Sequence, residues 1–103
     1  MSDPAGAVFA ALADATRRDL LVRLSADGPC TATQLAAGLP FTRQAVSKHL
    51  AVLSDAGLVA GARQGRETRY RLTPAPLTAA MSWMATVGAE WDRRLIALRD
   101  LLT

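Results

Sequence analysis

Residues 31–57 carry two sets of helix-start and helix-stop signals within a short span, which restricts them to a helix, a tight turn and a second helix. Thr31 and Gln34 have capping-box spacing, Leu35 and Ala36 are apolar positions suited to the interior, and Gly38 ends the segment. Leu39, Pro40 and Phe41 make the turn. Thr42 can then cap a second helix that runs to about residue 56, where Gly57 stops it. In that helix Val46, Leu50 and Leu53 recur at spacings of four and three, so they share a face turned to a core. Arg43, Gln44, Ser47 and Lys48 lie around the other side, and all can donate hydrogen bonds. A short helix with a polar, cationic N-terminal outer face suits a DNA major groove. A generic antiparallel helix pair would carry the same local signals, so the rest of the chain has to discriminate.

Charge does part of that. The 103-residue chain has a formal net charge of +3 and a pI near 10, a weak pointer to an anionic partner. Its distribution says more. Residues 31–73 hold six basic side chains (Arg43, Lys48, Arg63, Arg66, Arg69, Arg71) against two acidic ones (Asp55, Glu67), while residues 74–103 balance at three and three. The basic excess therefore lies on the second helix and on the segment just after it. There, Leu58, Val59 and Ala60 suit a short strand, residues 63–67 form a polar loop around Gly65, and residues 68–72 alternate with period two. Arg69 and Arg71 fall on one side of that alternation, and Thr68, Tyr70 and Leu72 on the other. The pair predicts a β-hairpin tipped by Arg63, Gln64 and Arg66, able to reach phosphates or the minor groove beside a recognition helix. Charged hairpin edges that discourage strand aggregation are the alternative use of these arginines.

The flanks predict helices. Residues 4–13 form a first helix with Val8, Phe9 and Leu12 as an apolar patch. Thr16 with Asp19 resembles a capping box for a second helix, which runs to about residue 26 and is stopped by Asp27, Gly28 and Pro29. Leu20, Leu21 and Leu24 face inward there, and Arg17, Arg18 and Arg23 stay in solvent. After Pro74 and Pro76, nothing but a tolerable Gly88 interrupts a helix over about residues 77–102. Leu77, Met81, Met84, Gly88, Trp91, Leu95, Leu98 and Leu102 are spaced 4-3-4-3-4-3-4, a heptad seam. Trp83, Val87 and Ile96 widen it. So broad an apolar surface exceeds what one small domain can bury, which predicts dimerisation through Val8, Phe9, Leu12 and the seam, with Gly88 allowing close backbone approach.

Half of the residues are hydrophobic, which excludes a disordered chain. The single cysteine, Cys30, excludes an intrachain disulfide framework. No signal-peptide pattern is seen, and the longest uncharged stretch, residues 72–89, contains two prolines and several polar residues, unlike a membrane span. A cytoplasmic protein of one domain, residues 1–103, is expected. No nucleophile, histidine and carboxylate set suggests an enzyme.

The order of these elements resembles the ArsR/SmtB family of bacterial winged-helix repressors. The resemblance is carried by Leu12-Ala13-Asp14-Ala15-Thr16-Arg17-Arg18-Asp19-Leu20-Leu21, by Gln44-Ala45-Val46-Ser47-Lys48-His49-Leu50, by Leu53, by Ala56-Gly57-Leu58-Val59, and by Gly65-Arg66 with Tyr70-Arg71-Leu72. It implies a mainly α winged helix-turn-helix with a small hairpin, in the order α-α-α-α-β-β-α, dimeric through its first and last helices. It also implies binding to double-stranded DNA at an imperfect palindrome, with half-sites roughly 34–36 Å apart. By the resemblance, Thr42, Arg43, Gln44, Ser47, Lys48 and His49 form the recognition-helix contacts, with His49 either touching phosphate or packing at the flank. Arg63, Gln64, Arg66 and Arg69 form the wing.

Metal-sensing members place a cysteine pair where this chain has Thr31 and Thr33, and another common site uses histidines on the last helix, which here has Glu90, Asp92 and Asp100 only. No set of about four ligands can be drawn. A metal-independent, cofactor-free repressor is the resulting expectation, and family members without metal ligands often act on their own promoters. Its competitors are a winged-helix protein-interaction module without DNA binding and a redox-responsive repressor using Cys30. The operator and the effector are not written in the sequence.

Overall fold

The computed structural model describes residues 4–102. Its elements are α1 (Pro4–Leu12), α2 (Ala15–Asp27), β1 (Cys30–Thr31), α3 (Ala32–Ala36), α4 (Arg43–Asp55), β2 (Val59–Gln64), β3 (Glu67–Leu72) and α5 (Ala75–Leu102). The expected helices and hairpin are all present, together with one element that the sequence does not predict. Cys30 and Thr31 pair antiparallel with Tyr70 and Arg69, giving a three-stranded sheet in the order β1-β3-β2. Thr31 is at the same time the helix cap that its spacing predicts. A two-residue strand has no periodicity by which to announce itself.

Capping chemistry sets the helix starts. Thr31 Oγ1 accepts the Gln34 N–H at 3.1 Å while Gln34 Oε1 accepts the Thr31 N–H at 2.9 Å, so the capping box is closed. Thr42 Oγ1 accepts the Ala45 N–H at 3.1 Å. For α2 the cap is Asp14, which accepts the Arg17 N–H at 3.1 Å, rather than Thr16. Asp14 lies extended just outside the helix, whereas Thr16 is already inside it. The hairpin is tighter than the sequence suggests. Gln64 faces Glu67 across a turn of Gly65 and Arg66. Of these two turn residues Gly65 alone has positive φ (63°), the type II′ pattern that matches strand twist and wants glycine first. Pro76, expected to precede the last helix, lies in the first turn of α5, where its missing N–H costs nothing.

Leu20, Leu21, Leu24, Leu35, Val46, Leu50, Leu53 and Leu58 form one buried cluster with Val8 and Ala80. The apolar faces of α1 to α4 thus meet in a single core. Val8, assigned from sequence to the association surface, is 2% exposed and belongs to this core. One turn of a short helix cannot serve both directions, and Phe9 and Leu12 remain the half-exposed members. Of Arg17, Arg18 and Arg23, Arg18 stays exposed as expected, and the other two are half-buried. Each guanidinium donates to backbone carbonyls of a neighbouring segment: Ala10 and Ala11, Leu12, and Gln34 and Leu35 respectively.

Helix α5 leaves the body. Leu77, Ala80 and Val87 are wholly or partly buried, and Trp83 packs its ring on Phe9 with centroids 5.7 Å apart. The heptad seam beyond Leu77 stays open: Met81, Met84, Trp91, Leu95 and Leu98 are 47–64% exposed. An added Cβ at Gly88 would meet nothing within 4 Å. Twenty-eight residues of helix extend about 42 Å, so the radius of gyration is 18.1 Å rather than the roughly 13 Å of a compact chain this long. No helix among the described residues is long and apolar enough to cross a membrane.

Candidate nucleic-acid interface

The start of α4 and the wing face each other across an open cleft of about 170 Å³. Arg43 and Ser47 line it from α4, Arg66, Glu67, Thr68 and Tyr70 from the hairpin, and Thr31, Ala32 and Thr33 from the β1–α3 corner. Local chemistry explains why these side chains point here. Thr42 fixes where α4 begins, and burial of Val46, Leu50 and Leu53 turns Arg43, Gln44 and Lys48 outward. Strand β1 holds the corner of α3 against β3, which brings the wing alongside. Gln44 and Lys48 are exposed on α4 next to the cleft without lining it. No ion pair among the described residues neutralises Arg43, Lys48 or Arg66.

The wing side chains divide. Arg66 occupies the exposed tip. Arg63 folds back, its Nε donating to the Gly65 carbonyl at 3.1 Å, and so braces the turn. Arg69 donates from Nε to Gln64 Oε1 at 2.8 Å, tying the two strands together. Of the four wing residues named from sequence, Arg63 and Arg66 are both exposed cations, Arg63 with its Nε tied to the turn, while Arg69 and Gln64 are tied to each other across the strands.

His49 takes the flank position of the two left open. It is half-buried, with Nδ1 3.5 Å from Arg17 Nη1, on the side of α4 that meets the α1–α2 corner. Thr33 on the cleft floor is a candidate that the sequence does not reveal, because its neighbourhood depends on how α3 packs against β3. Cys30 is buried, and its thiol donates to the Gly28 carbonyl at 3.3 Å. Among the described residues no three His, Cys, Asp or Glu side chains cluster closely enough to hold a metal ion.

Residues 12–62 match a helix-turn-helix domain family. The chain is 46% identical over 91 residues to the HTH-type transcriptional regulator CmtR of Mycobacterium tuberculosis, covering 86% of this chain and 76% of that protein. It is 32% identical over 88 residues to the transcriptional repressor SdpR of Bacillus subtilis, covering 85% and 97%. An ArsR-like transcriptional regulator from Rhodococcus superposes with a TM-score of 0.85 at 43% identity, over 95% of this chain and 92% of that one. The NMR structure of CmtR, described as a cadmium metal-sensor, superposes at 0.56 with 48% identity, over 65% and 68%. A homodimeric winged helix-turn-helix DNA-binding domain from Mycobacterium bovis superposes at 0.67 with 26% identity, over 85% and 81%.

Proposed function

The chain belongs to the ArsR/SmtB family of winged helix-turn-helix proteins and is a DNA-binding transcriptional regulator, and from that premise we propose that it acts as a cytoplasmic homodimeric repressor of an imperfectly palindromic operator. The observation that carries this reading is the open cleft that gathers Arg43 and Ser47 of α4 with Arg66 of the wing, where Glu67 is the one acidic lining residue and none of the ion pairs among the described residues engages either arginine. Arg43 can read a guanine bidentately and Gln44 an adenine. Ser47 and Lys48 follow along the same helix face, with Thr42 at its start. Arg66 reaches phosphate from the wing, while Arg63, Gln64 and Arg69 keep the wing in shape. The unburied seam of α5, with Phe9 and Leu12, meets its two-fold mate.

Selection of duplexes from a randomised pool tests the reading. Two inverted half-sites centred about 10 base pairs apart are expected. Enrichment of a single asymmetric site, or of nothing, would sink it.

A second reading, metal-responsive control, is favoured by the description of CmtR as a cadmium metal-sensor. Against it stand Thr31 and Thr33 at the positions of a cysteine pair and the lack of any ligand cluster among the described residues. We therefore infer that regulation is metal-independent. Cadmium or zinc added to the binding assay should leave affinity unchanged, and release from the operator would establish the metal-responsive reading instead.

A further inference from the structure

One guanidinium joins three helices at a place the DNA surface does not use. Arg17, with its side chain 17% exposed, lies in the first turn of α2. Its Nε donates to the Ala11 carbonyl at 2.7 Å and its Nη2 to the Ala10 carbonyl at 3.2 Å. Both acceptors belong to the last turn of α1, where intrahelical donors run out. Its Nη1 stands 3.5 Å from Nδ1 of His49, in the middle of α4, and 4.0 Å from the Asp14 carboxylate. Arginine only donates, so Nδ1 of His49 can accept from Nη1 in the ring tautomer that leaves Nδ1 bare. A planar fork with five fixed donors relates the end of α1 to the side of α4 in angle as well as distance.

We propose that Arg17, acting through His49, is a positioning residue that fixes the angle of the recognition helix relative to the dimer-forming first helix, and thereby the half-site spacing that the dimer accepts. This rests on the reading that α1 and α5 meet a second copy while α4 enters DNA. The lever makes the angle matter. Each recognition helix would lie about 17 Å from the two-fold axis. A tilt of about 10° there displaces it by about 3 Å, nearly the rise of one base pair. Spacing discrimination thus needs α4 held to within a few degrees of α1.

The test uses the full-length protein and the palindromic duplex that the wild type recovers from a randomised pool, together with the same duplex carrying one base pair added or removed between its half-sites. The readout is the ratio of affinities for native and altered spacing. The wild type should prefer native spacing by about tenfold, the cost of one well-placed contact pair. In His49→Leu and in Arg17→Lys, whose ammonium cannot bridge all the acceptors, the ratio should fall below about threefold. His49→Asn, which returns an acceptor near Nδ1, should restore it.

A merely structural role would lower all affinities in parallel and leave the ratio intact. A wild-type ratio in folded His49→Leu would overturn the inference, and that variant keeps the test decisive if an Arg17 substitution fails to fold. A wild type that recovers no palindrome would overturn the dimeric reading and this inference with it. A wild type that discriminates spacing alongside an equally discriminating His49→Leu overturns this inference alone.

Discussion

Arg43 and Arg66 reach the same cleft from different elements, so their removal should separate two kinds of DNA contact. Arg43→Ala should relax preference at one base position of each half-site, at a cost of about 1–3 kcal/mol against the selected sequence. Arg66→Ala should weaken many sequences alike and flatten the dependence of log affinity on log salt by about 0.9 for each phosphate no longer neutralised. Titration at several salt concentrations reads both. At Asp14, the N–H of Arg17 above all, then the charges of His49 and Arg17 and the N–H of Thr16, hold the carboxyl below its ordinary value, and desolvation opposes them. A carboxyl depressed in the folded state stabilises fully above its unfolded pKa and ceases to as pH falls through the folded one. Asp14→Ala should therefore melt below the wild type near neutrality, and the two melting curves should converge as pH drops below about 4. Thr31 and Thr42 were legible as caps because a cap is decided within three residues, while at α2 two candidates stood two positions apart and Asp14, not Thr16, took the role. The Arg17–His49 contact was not, because its partners are 32 positions apart and only the packed fold brings them together.

Among the elements, α4 starts at its threonine cap and α5 leaves its apolar seam open. Thr42→Ala should cost about 1 kcal/mol in chemical denaturation and weaken operator binding further, since it frays the turn that carries Arg43 and Gln44. Trp91 and Leu95, each 57% exposed, lie on the open seam of α5. Placing charge there, as in Trp91→Glu with Leu95→Glu, should convert a dimer to a folded monomer in sedimentation, with operator affinity reduced at least about a hundredfold because two half-sites no longer bind as one. The heptad pattern revealed this helix and its surplus apolar face, because periodicity over many turns is a strong signal. It did not reveal that Leu77, Ala80 and Val87 are the positions turned to the protomer itself, since two adjacent apolar faces look alike in one sequence. Strand β1 and the full length of the hairpin escaped for the opposite reason: two residues have no period, and Gly61, Arg63 and Gln64 have little strand propensity of their own. Their pairing with β3 decides.

For the molecule as a whole, the extents of 66 × 29 × 24 Å describe a compact head with a projecting rod. Much of the head was legible because the caps of α3 and α4 and the inner faces of α2 to α4 follow from local spacing, whereas the cap of α2 and the inward turn of Val8 did not. Strand β1 gives the head a property that no single element has. Thr31 pairs with Arg69 in the sheet and at the same time caps α3 with its hydroxyl. The wing therefore cannot tilt without pulling on the helix-turn-helix, and on the proposed function both arms should meet the duplex already set. Capture should be a single bimolecular event. In stopped-flow mixing, the observed rate should climb linearly with duplex concentration, with no plateau to mark a slower rearrangement behind it.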